Sequence, residues 1–163
     1  MKDKIEYLPD ENIKQKIFRK VKRDLNPSGM EVFTKLSITH FFVAILTLTV
    51  CPQFRFRLIG EGEGLLNVFM NFGEHGCMMA CGSFFIGTSI FVAGLIFSNA
   101  ELRVLRSEKW IFVAMIVFLS LGFFLMLKPS IVFYFSTFWA IGSLFTGVSL
   151  IETFWFIRKN EVK

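Results

Sequence analysis

The stretch "WIFVAMIVFLSLGFFLMLKPSIVFYFSTFWAIGSLFTGVSLIETFWFIRK", residues 110 to 159, decides the fold class. Before the closing Arg158-Lys159, its only charged residues are Lys128 and Glu152. Lys128-Pro129 divides it into two apolar halves, each long enough to cross a hydrocarbon layer about 30 Å thick as a helix. One span is predicted at about 110–127 and another at about 130–157. Only two or three residues join them, which makes them an antiparallel hairpin. Trp110 and Trp155 fall where interfacial aromatics are expected.

Working outward, two more apolar runs precede this hairpin. The first span is placed at about 36–54, with Pro52 ending its hydrogen-bond ladder. A loop containing "GEGEG" (60–64) follows. The run from Leu65 to Ser98 is too long for one straight span, and Gly73-Glu74-His75-Gly76 interrupts it. Residues 65–72 then read as a short interfacial or re-entrant segment and 76–98 as the second span, with 99–109 as a loop. The whole chain agrees with this reading. Of 163 residues 53% are hydrophobic, only 19% are charged and 22 are Phe, too little polar surface for a soluble domain of this size. The expected fold is an all-α integral membrane protein with a four-transmembrane-helix bundle (36–159). A cytoplasmic basic arm (1–35) precedes it and a short tail (160–163) follows. The first apolar run lacks a small-residue cleavage site, so it is expected to be retained as a membrane helix.

Basic residues set the expected orientation. If both termini are cytoplasmic, fifteen of the eighteen Lys and Arg lie on that side, with Arg55, Arg57 and Lys128 outside. This is the positive-inside pattern, and it implies a multi-pass protein of a bacterial inner membrane. The net charge of +5 is therefore a topology signal, and no nucleic-acid-reading motif accompanies it.

Residues 9–27, "PDENIKQKIFRKVKRDLNP", read as an amphipathic helix with Asp10 as N-cap and Asn26-Pro27 as stop. Ile13, Ile17, Phe18, Val21 and Leu25 share one face, and Lys14, Lys16, Arg19, Lys20, Lys22 and Arg23 cover the rest. A basic amphipathic helix beside a span lies on an anionic leaflet or docks in a protein groove.

The chemistry-bearing residues are "EHGCMMACG" (74–82) together with Cys51. Four spans bring Cys51, His75 and Cys77 to similar depth at the outer face, with Cys81 one turn deeper on the same helix face as Cys77. Three readings stand side by side: small side chains packed near a helix end, a Cys51–Cys77 disulfide, or a zinc or copper(I) site with His75 and thiolates as ligands, helped by Glu74, Met78 or Met79. No base-and-orienter set for nucleophilic catalysis is evident, so no enzyme is expected.

Small residues mark packing faces. Gly76, Ala80, Ser83, Gly87, Gly94 and Ser98 form a stripe on the second span, and Gly142, Thr146, Ser149 and Thr153 form one on the fourth. These two spans are expected to pack most tightly, within the chain or between copies as a homo-oligomer. Glu152, the acidic residue inside a span, is expected to pair with His40, Lys35 or Arg103.

The 9–27 arm, Cys51-Pro52 and the His75/Cys77/Cys81 group resemble small polytopic inner-membrane anti-sigma regulators. The resemblance implies a cytoplasmic arm that holds a sigma factor and outer-face cysteines that sense oxidants or metals. The expected function is a non-enzymatic membrane regulator or sensor whose partners are the lipid bilayer and a protein. Two alternatives are an accessory subunit of a larger membrane complex and a soft-metal transporter.

Overall fold

The computed structural model describes residues 11–51, 66–127 and 129–161. Among them all regular structure is helical, in seven elements: α1 (Glu11–Leu25), α2 (Gly29–Val50), α3 (Leu66–Met70), α4 (Gly73–Ile96), α5 (Asn99–Ser107), α6 (Lys109–Leu127) and α7 (Pro129–Glu161). α2, α4, α6 and α7 are long and apolar enough to cross a membrane. Asp10, Pro52, the 60–64 loop, Arg55, Arg57 and Lys128 lie outside the described residues.

Each boundary has a local cause. α2 starts at Gly29, seven residues before the expected Leu36, because Ser28 and Glu31 form a capping box. The Ser28 hydroxyl accepts from the Glu31 amide, and the Glu31 carboxylate accepts from the Ser28 amide, both at 3.2 Å. Polar residues at the head of a span are no obstacle once its first amides are satisfied. α2 closes at Cys51, which turns to extended backbone while its amide still bonds Thr47 O at 2.8 Å. The break after α3 is at Gly73, whose φ of 77° lies in the left-handed region open to glycine. α4 therefore begins at Gly73, and Glu74, His75 and Gly76 are its first turn and no longer part of the interruption.

The expected 99–109 loop is instead mostly helical. A second capping box, Ser98 with Glu101, starts α5, and Leu102 and Leu105 are buried beneath it. The signal was present as S-x-x-E followed by leucines three apart, but the charged residues around it read as a loop. α7 is one helix of 33 residues, about 50 Å long at 1.5 Å per residue, and outruns a bilayer core. Pro129 opens it, where a missing amide proton costs nothing.

α4 is the central helix, and its contact with α7 is the most extensive in the bundle. The backbones approach so closely that a Cβ on Gly82 would lie 2.2 Å from Trp139 O, and one on Gly142 2.2 Å from Met79 O. The Ser83 hydroxyl donates to Gly142 O at 3.0 Å across this seam. Gly87 faces Thr146 and Gly94 faces Phe154. The expected pairing of the second and fourth spans is therefore present within the chain. Its register differs in part: Gly76 meets Phe72, Ala80 is half-buried, and Ser149 is exposed. Gly82 and Gly147, outside the expected stripes, are tight contacts. Trp139 is fully buried against Phe85 and Phe124.

Candidate functional site

At one end of the bundle three sulfurs gather. Cys51, at the close of α2, and Cys77 and Cys81 of α4 are all buried, each as a thiol. Cys51 Sγ lies 3.9 Å from Cys81 Sγ, and Cys77 stands four residues before Cys81 on the same helix face. One reading paired Cys51 with Cys77; the sulfur found 3.9 Å from Cys51 is that of Cys81. This contact sets the end of α2 level with Cys81, about two helical turns along α4 from its start at Gly73.

His75 does not join the sulfurs. Its ring is exposed and stacks on Phe138 of α7, with centroids 4.3 Å apart and planes 24° from parallel. Glu74 and Met79 are exposed and Met78 is half-buried. Among the described residues no three His, Cys, Asp or Glu side chains converge as a ligand set for zinc or copper(I). The arrangement is suited to two-electron thiol chemistry between Cys51 and Cys81, with Cys77 as a neighbouring third thiol.

The interior holds a polar centre that the sequence reading did not single out. His40 of α2 is buried, with Nδ1 2.8 Å from Ser89 Oγ of α4 and Nε2 2.8 Å from Ser120 Oγ of α6. Phe85 meets its ring edge-on at 5.4 Å. The available signal was a histidine in the apolar run "ITHFFVAIL" (38–46), an ionisable group that needs partners at such depth.

The opposite end is charged. Glu152 pairs with Arg106 at 3.0 Å and with Lys109, not with the expected His40, Lys35 or Arg103. Lys35 is committed to Glu101 at 2.8 Å, and His40 to its serines. Burial raises the Glu101 carboxyl, but hydrogen bonds from Lys35 and Ser98 outweigh it and hold its pKa below the ordinary value. The Arg106 guanidinium also covers the Trp155 ring at 5.2 Å. Arg158 caps α4, donating to Phe97 O, to Gly94 O at 2.9 Å and to Leu95 O at 3.3 Å.

α1 carries its stripe in the open: Ile13, Ile17, Phe18, Val21 and Leu25 are all exposed, as are Lys14, Arg19 and Lys20. Arg23 belongs to α1, but its side chain lies outside the described set.

Compared with protein-family models, curated proteins and solved structures, the chain matches none.

Proposed function

We propose that this chain is a non-enzymatic regulator of a bacterial inner membrane, with both termini cytoplasmic, that couples an outer-face dithiol to its basic arm. The observation that carries the reading is the 3.9 Å approach of Cys51 Sγ to Cys81 Sγ. These thiols join the end of α2 to the central helix, while α1 precedes the other end of α2 across Asn26-Pro27-Ser28.

The chemistry is thiol–disulfide exchange with a protein or small-molecule disulfide. One cysteine thiolate attacks the oxidant and releases its first thiol, and the second cysteine resolves the mixed disulfide and releases the other. Two protein thiols lose two electrons and two protons, and one disulfide becomes two thiols. Forming the bond draws the sulfurs from 3.9 Å to about 2.05 Å, which moves the end of α2 against α4. α2 is one continuous helix, so the displacement is felt at its capped N-terminus and by α1. In the reduced state α1 rests its apolar stripe on the anionic leaflet, and a shift of α2 changes its availability to a cytoplasmic protein partner.

The test is oxidation of membranes holding the full chain with oxidised glutathione, followed by peptide mapping and protease protection of α1. A Cys51–Cys81 disulfide is expected, retained in Cys77→Ser, absent in Cys51→Ser and Cys81→Ser, and accompanied by altered cleavage within 11–25. Three free thiols after treatment sink the reading, as does α1 cleavage that ignores a formed disulfide.

A further inference from the structure

The charged end holds a cavity of about 340 Å³ lined by Arg103, Arg106, Ser107, Lys109, Glu152 and Trp155. Three cations meet there with a single carboxylate. Glu152 is shared by Arg106 and Lys109, and Arg106 gives it only Nε; its two terminal nitrogens make no hydrogen bond among the described residues, and its face lies over Trp155. Arg103 is exposed and has no hydrogen-bond or ion-pair partner among the described residues. The nearby Glu108 does not line the cavity; its carboxylate stands beside Gly29 of α2. The cavity is left with two uncompensated positive charges, and an anion is the natural complement.

We infer that this cavity binds the phosphodiester headgroup of an anionic phospholipid. Several observations favour a lipid over a soluble anion. The cavity lies at the ends of two candidate spans, α6 and α7, where headgroups sit. Trp155 forms one wall, and an indole is at home at that depth. The residues next in sequence, Trp110 and Ile111 after Lys109 and Phe156 after Trp155, are exposed and apolar, a surface for acyl chains. Arg103 and the free edge of Arg106 present forked donors to phosphate oxygens, and Lys109 adds a point charge. Basic pockets between spans at this level are a recurrent headgroup site.

The experiment uses the full chain in detergent and counts bound lipids by native mass spectrometry, with phosphatidylglycerol against phosphatidylcholine. Under the proposed function α1 also binds anionic lipid, so the deciding arm is Arg103→Gln, which removes a side chain with no partner among the described residues. This variant is expected to lower the phosphatidylglycerol preference about fivefold, the scale of one basic residue at a membrane surface. Glu152→Gln, with its thermal unfolding checked, is expected to raise the preference, because it removes the carboxylate that lines the cavity. An unchanged preference in Arg103→Gln overturns the assignment, and so does a lowered one in folded Glu152→Gln. Displacement of phosphatidylglycerol by millimolar inorganic phosphate overturns the choice of lipid as the source of the phosphate.

Discussion

The Ser120 hydroxyl and the His40 imidazole have a defined donor and acceptor. Ser120 Oγ donates to Ile116 O at 2.8 Å, so it accepts from His40 Nε2, also at 2.8 Å. Nδ1 of a neutral ring is then bare and accepts from the Ser89 hydroxyl at 2.8 Å, whose alternative acceptor, Phe85 O, is farther at 3.3 Å. A neutral Nε2–H tautomer satisfies every group and ties α2, α4 and α6 at one depth.

Ser120→Ala leaves that N–H without an acceptor in the interior, and about 1–2 kcal/mol of bundle stability is expected to be lost. His40→Leu strands no donor, since both serines fall back on their own helix carbonyls. The double variant should therefore be less destabilised than the two single losses added together. Unfolding of all four proteins in detergent micelles measures the coupling, and strict additivity contradicts the network.

One glycine at the α4–α7 seam and one on α6 carry opposite predictions. A Cβ on Gly82 strikes the Trp139 carbonyl at 2.2 Å, and backbone cannot rotate away, so Gly82→Ala should force the helices apart at about 1–3 kcal/mol. Gly122 of α6 has nothing within 4 Å of its Cβ position. Gly122→Ala should be neutral or stabilising by up to about 1 kcal/mol, through helix propensity alone. A midpoint that falls for the first and holds or rises for the second is the expected thermal-melt pattern.

Arg158 satisfies carbonyls that the end of α4 leaves open, and it also donates to Asn99 Oδ1 at 3.2 Å. Lysine keeps the charge but lacks the fork that spans Gly94, Leu95 and Phe97. Arg158→Lys should lose about 1 kcal/mol, and amide exchange should quicken around residues 94–102. If exchange there matches the parent, the guanidinium is not the cap.

The Lys35–Glu101 pair links α2 to α5 and carries a pH dependence of known sign. The folded-state carboxyl pKa lies below its ordinary value of 4.5, so the unfolded chain binds the proton more readily. The contribution is fully present above about pH 4.5 and is lost as the pH falls through the lowered value. Lys35 is 42% exposed, which screens the pair and limits it to roughly 0.5 kcal/mol. Glu101→Gln keeps the capping-box geometry, so this acid-dependent part of the melting midpoint should vanish while α5 persists by circular dichroism.

How much of this was legible beforehand depends on the range of the physics involved. The number of spans, their approximate positions and the α1 stripe could be read from residues 9–27 and from the apolar runs. Hydropathy is local, and a bilayer accepts only helices whose amides bond within the segment. α5 was equally local, and its Ser98–Glu101 box was overlooked among charges. The partners of Cys51, His40 and Glu152 were of another kind. They depend on how deep each helix sits and how it is turned, which no single segment encodes. The close approach at Gly82 and Gly142 sets α4 against α7, and the level at which α2 ends sets Cys51 beside Cys81. A slip of one turn, about 5.4 Å, would pair Cys51 with Cys77 instead. Composition and spacing made this a helical membrane protein with thiols near one end, while packing between helices chose which thiols meet.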